Sequence, residues 1–227
     1  MSLEIKKVGV LGTGVMGGQI AAHLTNAGLE VYAFDMDQEI AENGIKATQE
    51  IKPAAFYNKK TVENITILNY NEHLSKISEC QWVIEAISER IDWKKDLYGK
   101  IKEHLSDTAI LTSNTSGISL AELSEDMSES LKNRFFITHF FNPPRYMKLV
   151  EVIYPETIDK EMLDSIVDVL ENKLGKGVVH GKDTPNFIAN RIGVYGMMNV
   201  IKVATDMKLS VEDIDFFTGT LIGRQKS

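Results

Sequence analysis

Cysteine is nearly absent: the 227 residues contain one, Cys80. A lone thiol excludes a disulfide framework within the chain and leaves a Cys-based zinc site short of ligands. Cys80 stands ahead of an apolar run with no cation beside it, which marks it as inert. Long apolar runs are missing too. None approaches the roughly 20 residues that a membrane span needs. The first residues, Met1-Ser2-Leu3-Glu4-Ile5-Lys6-Lys7, hold no apolar signal region. No block of Lys or Arg stands out, and 25 Lys+Arg against 32 Asp+Glu leave a net charge of −7. That balance argues against a nucleic-acid backbone as the main partner. Repeats and low-complexity tracts are absent as well. Together these absences predict a soluble protein of a reducing compartment, the cytoplasm, with neither membrane nor nucleic acid as partner.

What is present is ordinary globular material, 43% hydrophobic and 25% charged. The length allows one large α/β domain, or one full domain and part of a second. Short β-branched runs alternate with longer helical patterns, which predicts a doubly wound, mostly parallel sheet covered by helices. The strand candidates begin at Lys7, Glu30, Ile65, Gln81, Ala109, Phe135, Leu149 and Gly177. Helices are expected near residues 17–27, 37–52, 91–104 and 159–174, with residues 53–65 helical again. Asp183-Thr184-Pro185 punctuates the pattern, with the proline suited to the first turn of a new helix. Beyond it the strands stop. Residues 186–207 read as one long helix, and Ser210-Val211-Glu212-Asp213 as the capping box of a short last one. The expected domains are therefore 1–184 and 185–227, the second too short for a core of its own and hence incomplete.

Gly12-Thr13-Gly14-Val15-Met16-Gly17 follows the first strand and opens a helix. A GxGxxG pattern alone is weak, but here it has its strand–turn–helix–strand setting. The first glycine makes the tight turn, the second lets a pyrophosphate approach the backbone, and the third lets helix and strand pack closely. Backbone N–H groups and the helix dipole then bind phosphate without side-chain cations, so an acidic chain is no obstacle. Asp35 ends the second strand, 21 positions after Gly14, where a carboxylate accepts hydrogen bonds from ribose hydroxyls. Met36 and Asp37 follow, so a 2′-phosphate would meet carboxylates and no cation. The cofactor predicted is NAD rather than NADP.

Of the five histidines, His139 stands out. It ends a strand, where ligands bind in doubly wound sheets, and an imidazole there can exchange a proton with an alcohol. Glu151 lies within the apolar run Leu149-Val150-Glu151-Val152. A carboxylate so placed is costly unless partnered, and a histidine is a suitable partner. On spacing alone, an edge-strand surface position fits Glu151 equally well. Ser113, Asn114, Thr115 and Ser116 follow another strand end, either turning the chain or donating to a substrate oxygen. Glu85, Glu89 and Lys94 flank the fourth strand end, beside the expected nicotinamide ribose. Asn190 and Arg191 open the helix after Pro185, where they can cover the cleft.

Taken together these segments resemble the L-3-hydroxyacyl-CoA dehydrogenases. The resemblance rests on Gly12–Gly17, on Ser113-Asn114-Thr115-Ser116 and on His139-Phe140-Phe141-Asn142-Pro143-Pro144. It continues through Met147-Lys148-Leu149-Val150-Glu151-Val152, and through Asp183-Thr184-Pro185 to Phe187-Ile188-Ala189-Asn190-Arg191, in the family's order. It implies a Rossmann-like NAD domain followed by the start of an all-helical domain that dimerises and closes the site. It implies reversible NAD-dependent oxidation of an L-3-hydroxyacyl-CoA, with His139 as general base and Glu151 as its partner. Ser116 and Asn190 would contact substrate near the reacting oxygen, Ser116 also lying against the cofactor. Asn142 would bind substrate and nicotinamide. Gly12, Gly14, Val15, Met16, Gly17, Asp35, Glu89 and Lys94 would hold NAD, and no metal is implied. The helical insertion around residues 37–64 would run along the CoA moiety. Asn186 stands where the family pattern usually has glycine. The wording Asn-Pro-Pro-Arg-Tyr-Met resembles members fused to an enoyl-CoA hydratase domain, so a longer, homodimeric protein is expected. Two rivals remain: a dehydrogenase of a free hydroxy acid, and an NAD-binding fragment without turnover.

Overall fold

Eight strands form one sheet in the computed structural model, which describes residues 3–223. β1 (Lys7–Leu11) runs into α1 (Val15–Asn26), β2 (Glu30–Asp35) and α2 (Gln38–Glu50). β3 (Ile65–Asn69), α3 (Tyr70–His73), β4 (Trp82–Glu85) and α4 (Ile91–Ile101) follow. Then come β5 (Ile110–Ser113), α5 (Leu120–Ser124), α6 (Glu129–Lys132), β6 (Phe135–Phe140) and β7 (Leu149–Ile153). α7 (Lys160–Asp168) and β8 (Gly177–Gly181) complete this part.

The sheet order is β3-β2-β1-β4-β5-β6-β7-β8. All neighbours are parallel except β6 and β7. The chain winds outward from β1 to β3, then restarts on the other side at β4. That reversal opens a crevice at the carboxyl ends of β1 and β4, the general position for ligands in such sheets. The central strands are buried on both faces, as Val8, Val10, Val31, Ala33, Trp82, Ile84 and Phe136 show. Their near-continuous apolar character follows from helices covering both sides.

The chain divides into two compact units, the first ending at Pro185 and the second beginning at Asn186. The second holds α8 (Ala189–Asp206) and α9 (Val211–Thr218), the latter capped by the reciprocal Ser210–Asp213 box. Among the described residues no helix is long and apolar enough to cross a membrane.

Three local expectations are corrected. Residues 53–65 are not an α-helix: bends precede a 3-10 turn at Lys59–Asn64, which Asn58 caps. Pro53 removes a donor at the start of that segment. The helix expected over 159–174 is α only to Asp168 and widens to a π turn at Val169–Lys173. Pro185 does not open a helix, because Asn186 (φ 61°) and Phe187 (φ 47°) take the left-handed conformation before α8 begins. Asparagine tolerates that region better than most residues with a side chain, which accounts for Asn where the family pattern has Gly.

Candidate active site

The glycine loop is built as its spacing requires. Gly12 has φ +96°, and a Cβ on Gly17 would lie 1.9 Å from the Gly12 carbonyl oxygen. A Cβ on Gly14, by contrast, would meet nothing within 4 Å. The first helical hydrogen bond runs from the Gly18 N–H to the Gly14 carbonyl, 2.9 Å, so the amides of Val15, Met16 and Gly17 precede it at the positive end of α1. No acidic side chain stands in that first turn. Asp35 is fixed beside the loop, its Oδ2 accepting from the Thr13 N–H and hydroxyl at 2.7 Å each. Helix α2 presses on the same point, since a Cβ on Gly44 would lie 2.3 Å from the Thr13 carbonyl oxygen.

A cleft of about 390 Å³ opens here, lined by Gly12, Gly14, Asp35, Met36, Trp93 and Lys100 among others. An adenine dinucleotide fits these residues. The open space over Gly14 leaves the backbone accessible to a pyrophosphate, and Asp35 stands where ribose hydroxyls would donate to it. Lys100, on α4, brings a cation into the wall that the sequence did not foretell. It is paired with Asp96 at 2.6 Å.

Glu85, at the end of β4, is fully buried. Its Oε1 accepts from Lys94 Nζ (2.5 Å) and the Ile87 N–H (2.9 Å); its Oε2 accepts from the hydroxyls of Tyr98 (2.6 Å) and Ser113 (2.7 Å). Burial pushes the Tyr98 phenol well above its usual range, so it stays a donor. Lys94 departs from the expected outward cofactor contact: its ammonium has no exposed surface, because Glu85 draws it inside. Glu89, 3.6 Å from Lys94 Nζ, turns the other way. Its Oε1 accepts from the Thr115 hydroxyl (2.6 Å) and the Ser116 and Gly117 amides (2.8 and 2.9 Å). Burial pushes the Glu89 carboxyl up, but these bonds and the Lys94 charge outweigh it and hold the group below the usual range. Glu89 thereby fixes the turn that carries Ser116.

Asn114 joins three strand ends. Its N–H donates to the Glu85 carbonyl (2.7 Å), and its Oδ1 accepts from the Phe140 N–H (2.9 Å). Asp183 caps α5 through the amides of Leu120 and Ala121, tying the Asp-Thr-Pro junction to this part of the first unit.

His139 and Glu151 face one another across the antiparallel β6–β7 pair. Directly opposite residues on such strands bring their side chains together, which explains the separation of twelve in sequence. His139 Nδ1 lies 2.7 Å from Glu151 Oε2, and both side chains are buried. Glu151 is interior because β8 covers β7, so the edge-strand alternative falls away. Phe141 packs on the imidazole, 4.4 Å between ring centroids. Asn142 follows in the exposed loop, its Oδ1 accepting from Gln19 Nε2 at 3.0 Å. Asn190 lies in the second unit, on the first turn of α8. Among the described residues, no cluster of three or more His, Cys, Asp or Glu side chains could hold a metal ion.

This is a nucleotide-binding α/β domain of the dehydrogenase type, with a histidine–carboxylate pair on its sixth and seventh strands. The sequence model of the 3-hydroxyacyl-CoA dehydrogenase NAD binding domain matches residues 7–184, and the chain belongs to that family. A probable 3-hydroxyacyl-CoA dehydrogenase of Bacillus subtilis is 40% identical over 100% of this chain and 31% of its own length. A putative fatty acid oxidation complex trifunctional enzyme of Rickettsia prowazekii is 40% identical over 98% of this chain and 32% of its own. The chain thus spans about a third of the length of these curated relatives. Among solved structures, (S)-3-hydroxybutyryl-CoA dehydrogenase PaaH1 of Ralstonia eutropha is similar at a TM-score of 0.82 and 26% identity. That alignment covers 98% of this chain and 80% of the other.

The sequence reading missed Gln19, which carries no spacing signal; only the sheet order brings its partner near. Asn114 was named within the polar cluster after β5, but its bond to the Phe140 N–H was not foreseen. Asp183 was visible as part of a motif, but its capping of α5 was not.

Proposed function

We propose that the chain carries out the NAD-dependent, reversible oxidation of an L-3-hydroxyacyl-CoA to the 3-ketoacyl-CoA. The observation that carries this reading is the buried His139–Glu151 pair beside a loop fit for a dinucleotide. Glu151 holds Nδ1, which keeps the proton on that nitrogen and leaves Nε2 as the basic one. His139 Nε2 then takes the proton of the 3-hydroxyl in oxidation and returns it in reduction. NAD, when bound, supplies the hydride acceptor. Gly12, Gly14, Val15, Met16, Gly17 and Asp35 hold its phosphates and ribose, with Glu89 and Lys94 shaping the nicotinamide end. Ser116 and Asn142 offer donors to substrate oxygen atoms, lowering the cost of charge that develops there, a role that the family resemblance extends to Asn190.

The domains assigned are 1–184 for the cofactor and 185–227 for the start of a helical domain. The exposed Ile192, Tyr195 and Met197 of α8 support dimerisation through that helical part in the full-length protein. The match to a trifunctional enzyme supports fusion to further activities, and the Asn142-to-Met147 wording is what points to an enoyl-CoA hydratase among them. A cytoplasmic setting belongs to the same proposal; among the described residues no helix is long and apolar enough to cross a membrane.

The test is NADH consumption with acetoacetyl-CoA, comparing the parent with His139→Gln. General acid–base catalysis is worth roughly 10²–10⁴-fold, and a loss in that range is expected. Equal rates would remove His139 from its role. A parent that reduces free 3-keto acids as readily as the thioester would remove CoA from the substrate.

A further inference from the structure

Gln19 sits on α1, buried at 2% exposure, with its amide aimed at the loop after β6. Its Nε2 donates to the Val15 carbonyl at 2.9 Å and to Asn142 Oδ1 at 3.0 Å. The polarity follows from chemistry. A backbone carbonyl can only accept, so the Gln19 atom that reaches Val15 is its nitrogen. The Asn142 atom bonded to that nitrogen must then be an oxygen. The NH₂ limb of Asn142 is therefore the one turned away from Gln19.

The backbone of this loop is pinned independently. Arg145 donates to the carbonyls of Ala54 (2.7 Å) and Phe56 (3.1 Å), and its guanidinium lies 4.0 Å from the Tyr57 ring centroid. Lys176 Nζ donates to the carbonyls of Pro144 and Met147. Pro143 offers no N–H. With the backbone so held, rotation of the Asn142 amide is the remaining freedom, and it decides whether a ligand meets a donor or an acceptor.

We propose that Gln19 is a positioning residue that sets Asn142 as a hydrogen-bond donor to a carbonyl oxygen of the bound reactants. This rests on the dehydrogenase reading above. Two carbonyls have the required chemistry: the carboxamide of the nicotinamide and the C3 carbonyl of the ketoacyl group. An amide released by loss of Gln19 spends part of its time flipped, with its own oxygen facing that carbonyl.

The experiment is a double-mutant cycle of Gln19→Met and Asn142→Ala. It is read by calorimetric NADH binding, by the KM for acetoacetyl-CoA and by thermal melting. Gln19→Met keeps the side-chain length and removes the donor. A loss of roughly three- to tenfold is expected, the worth of one neutral hydrogen bond. A loss in NADH affinity identifies the carboxamide, and a rise in KM at unchanged affinity identifies the substrate carbonyl. In the Asn142→Ala background, Gln19→Met should cost nothing more. Parent-like values for Gln19→Met, or the same loss with and without Asn142, overturn the proposal. Asn142→Asp, on the exposed loop, tests the polarity without touching the α1 core. It keeps the acceptor for Gln19 and has no donor, so it should bind as poorly as Asn142→Ala; parent-like binding overturns the proposal. A parent that binds NADH but does not turn over acetoacetyl-CoA sinks the proposed reaction instead, and NADH affinity alone then decides the role of Gln19.

Discussion

Glu85 and Glu151 are both carboxylates with no exposed surface, on strands of the same sheet, yet they are partnered in opposite ways. Glu85 receives a lysine ammonium, two hydroxyls and a backbone N–H. None of those donors is an imidazole. The result is a frozen knot that fixes the ends of β4 and β5, and with them the turn bearing Ser116. Glu151 lies against an imidazole, the side-chain class whose proton is exchangeable under physiological conditions. The cofactor side of the cleft is thus built to stay still, whereas the β6–β7 side carries the pair to which the proposed reaction assigns proton transfer. Burial alone does not separate a structural carboxylate from a functional one; the chemistry of its partner does.

Substitution at Glu151 should break the comparison most visibly. Glu151→Gln keeps the volume and removes the charge that steadies the histidine. Turnover with acetoacetyl-CoA is expected to fall roughly 10²–10⁴-fold, with NADH affinity within about twofold of the parent. A variant that retains more than a tenth of parental turnover would make Glu151 a structural residue like Glu85.

The converse holds for Glu85→Gln, whose main cost should be stability. Removing one partner of a buried ion pair typically costs about 3–5 kcal/mol, and Lys94 keeps only the longer contacts to Glu89 (3.6 Å) and the Ile87 carbonyl (3.4 Å). A drop of roughly 6–20 °C in melting temperature is expected at this chain length. The double variant Glu85→Met with Lys94→Met should recover much of it, because no charge is left buried. If the double variant melts no higher than the single one, the knot owes its stability to the hydroxyl donors rather than to the pair.

A smaller effect should follow from Gly44→Ala, which sharpens the same contrast on the cofactor side. The added methyl meets the Thr13 carbonyl oxygen at 2.3 Å, which as backbone cannot swing aside, and the Thr13 side chain at Oγ1 (2.4 Å) and Cβ (2.7 Å). Overpacking of this kind costs roughly 1–3 kcal/mol. The shift should also loosen Thr13 from Asp35 and weaken NADH binding, while kcat at saturating NADH stays parental. An unchanged NADH affinity would show that α2 does not set the position of Asp35.

The parts of this arrangement that were legible in the sequence are the local ones. The glycine loop, Asp35 and the strand alternation depend on neighbours along the chain, so their spacing announces them. The site carboxylates were legible only as candidates. Glu151 was balanced between surface and interior because the antiparallel turn of β7, and the β8 strand that covers it, are long-range facts. Lys94 was expected as a cofactor contact, since a lysine on a first helical turn ordinarily faces outward; the buried Glu85 draws it inside. Gln19 and Asn142 meet across 123 positions, and no local pattern records such a contact.

A second buried imidazole tests what Glu151 contributes. His23 lies on α1, nearly as buried as His139. No carboxylate governs its titration: burial first, then the nearby Lys176 charge, hold its pKa down to about 4. The ordinary histidine value is about 6.5. Between those values the unfolded chain binds the proton that the folded chain refuses. Folding stability should therefore rise with pH from about 4 to 6.5, and the penalty should be complete below 4. Urea titrations at pH 4.5 and pH 7 measure it, and His23→Phe should flatten that rise by removing the group. The same variant should leave the pH profile of turnover where it was, because the proposed reaction does not use His23. A shifted activity profile in His23→Phe would show that the two imidazoles are electrostatically coupled through the 140–147 loop.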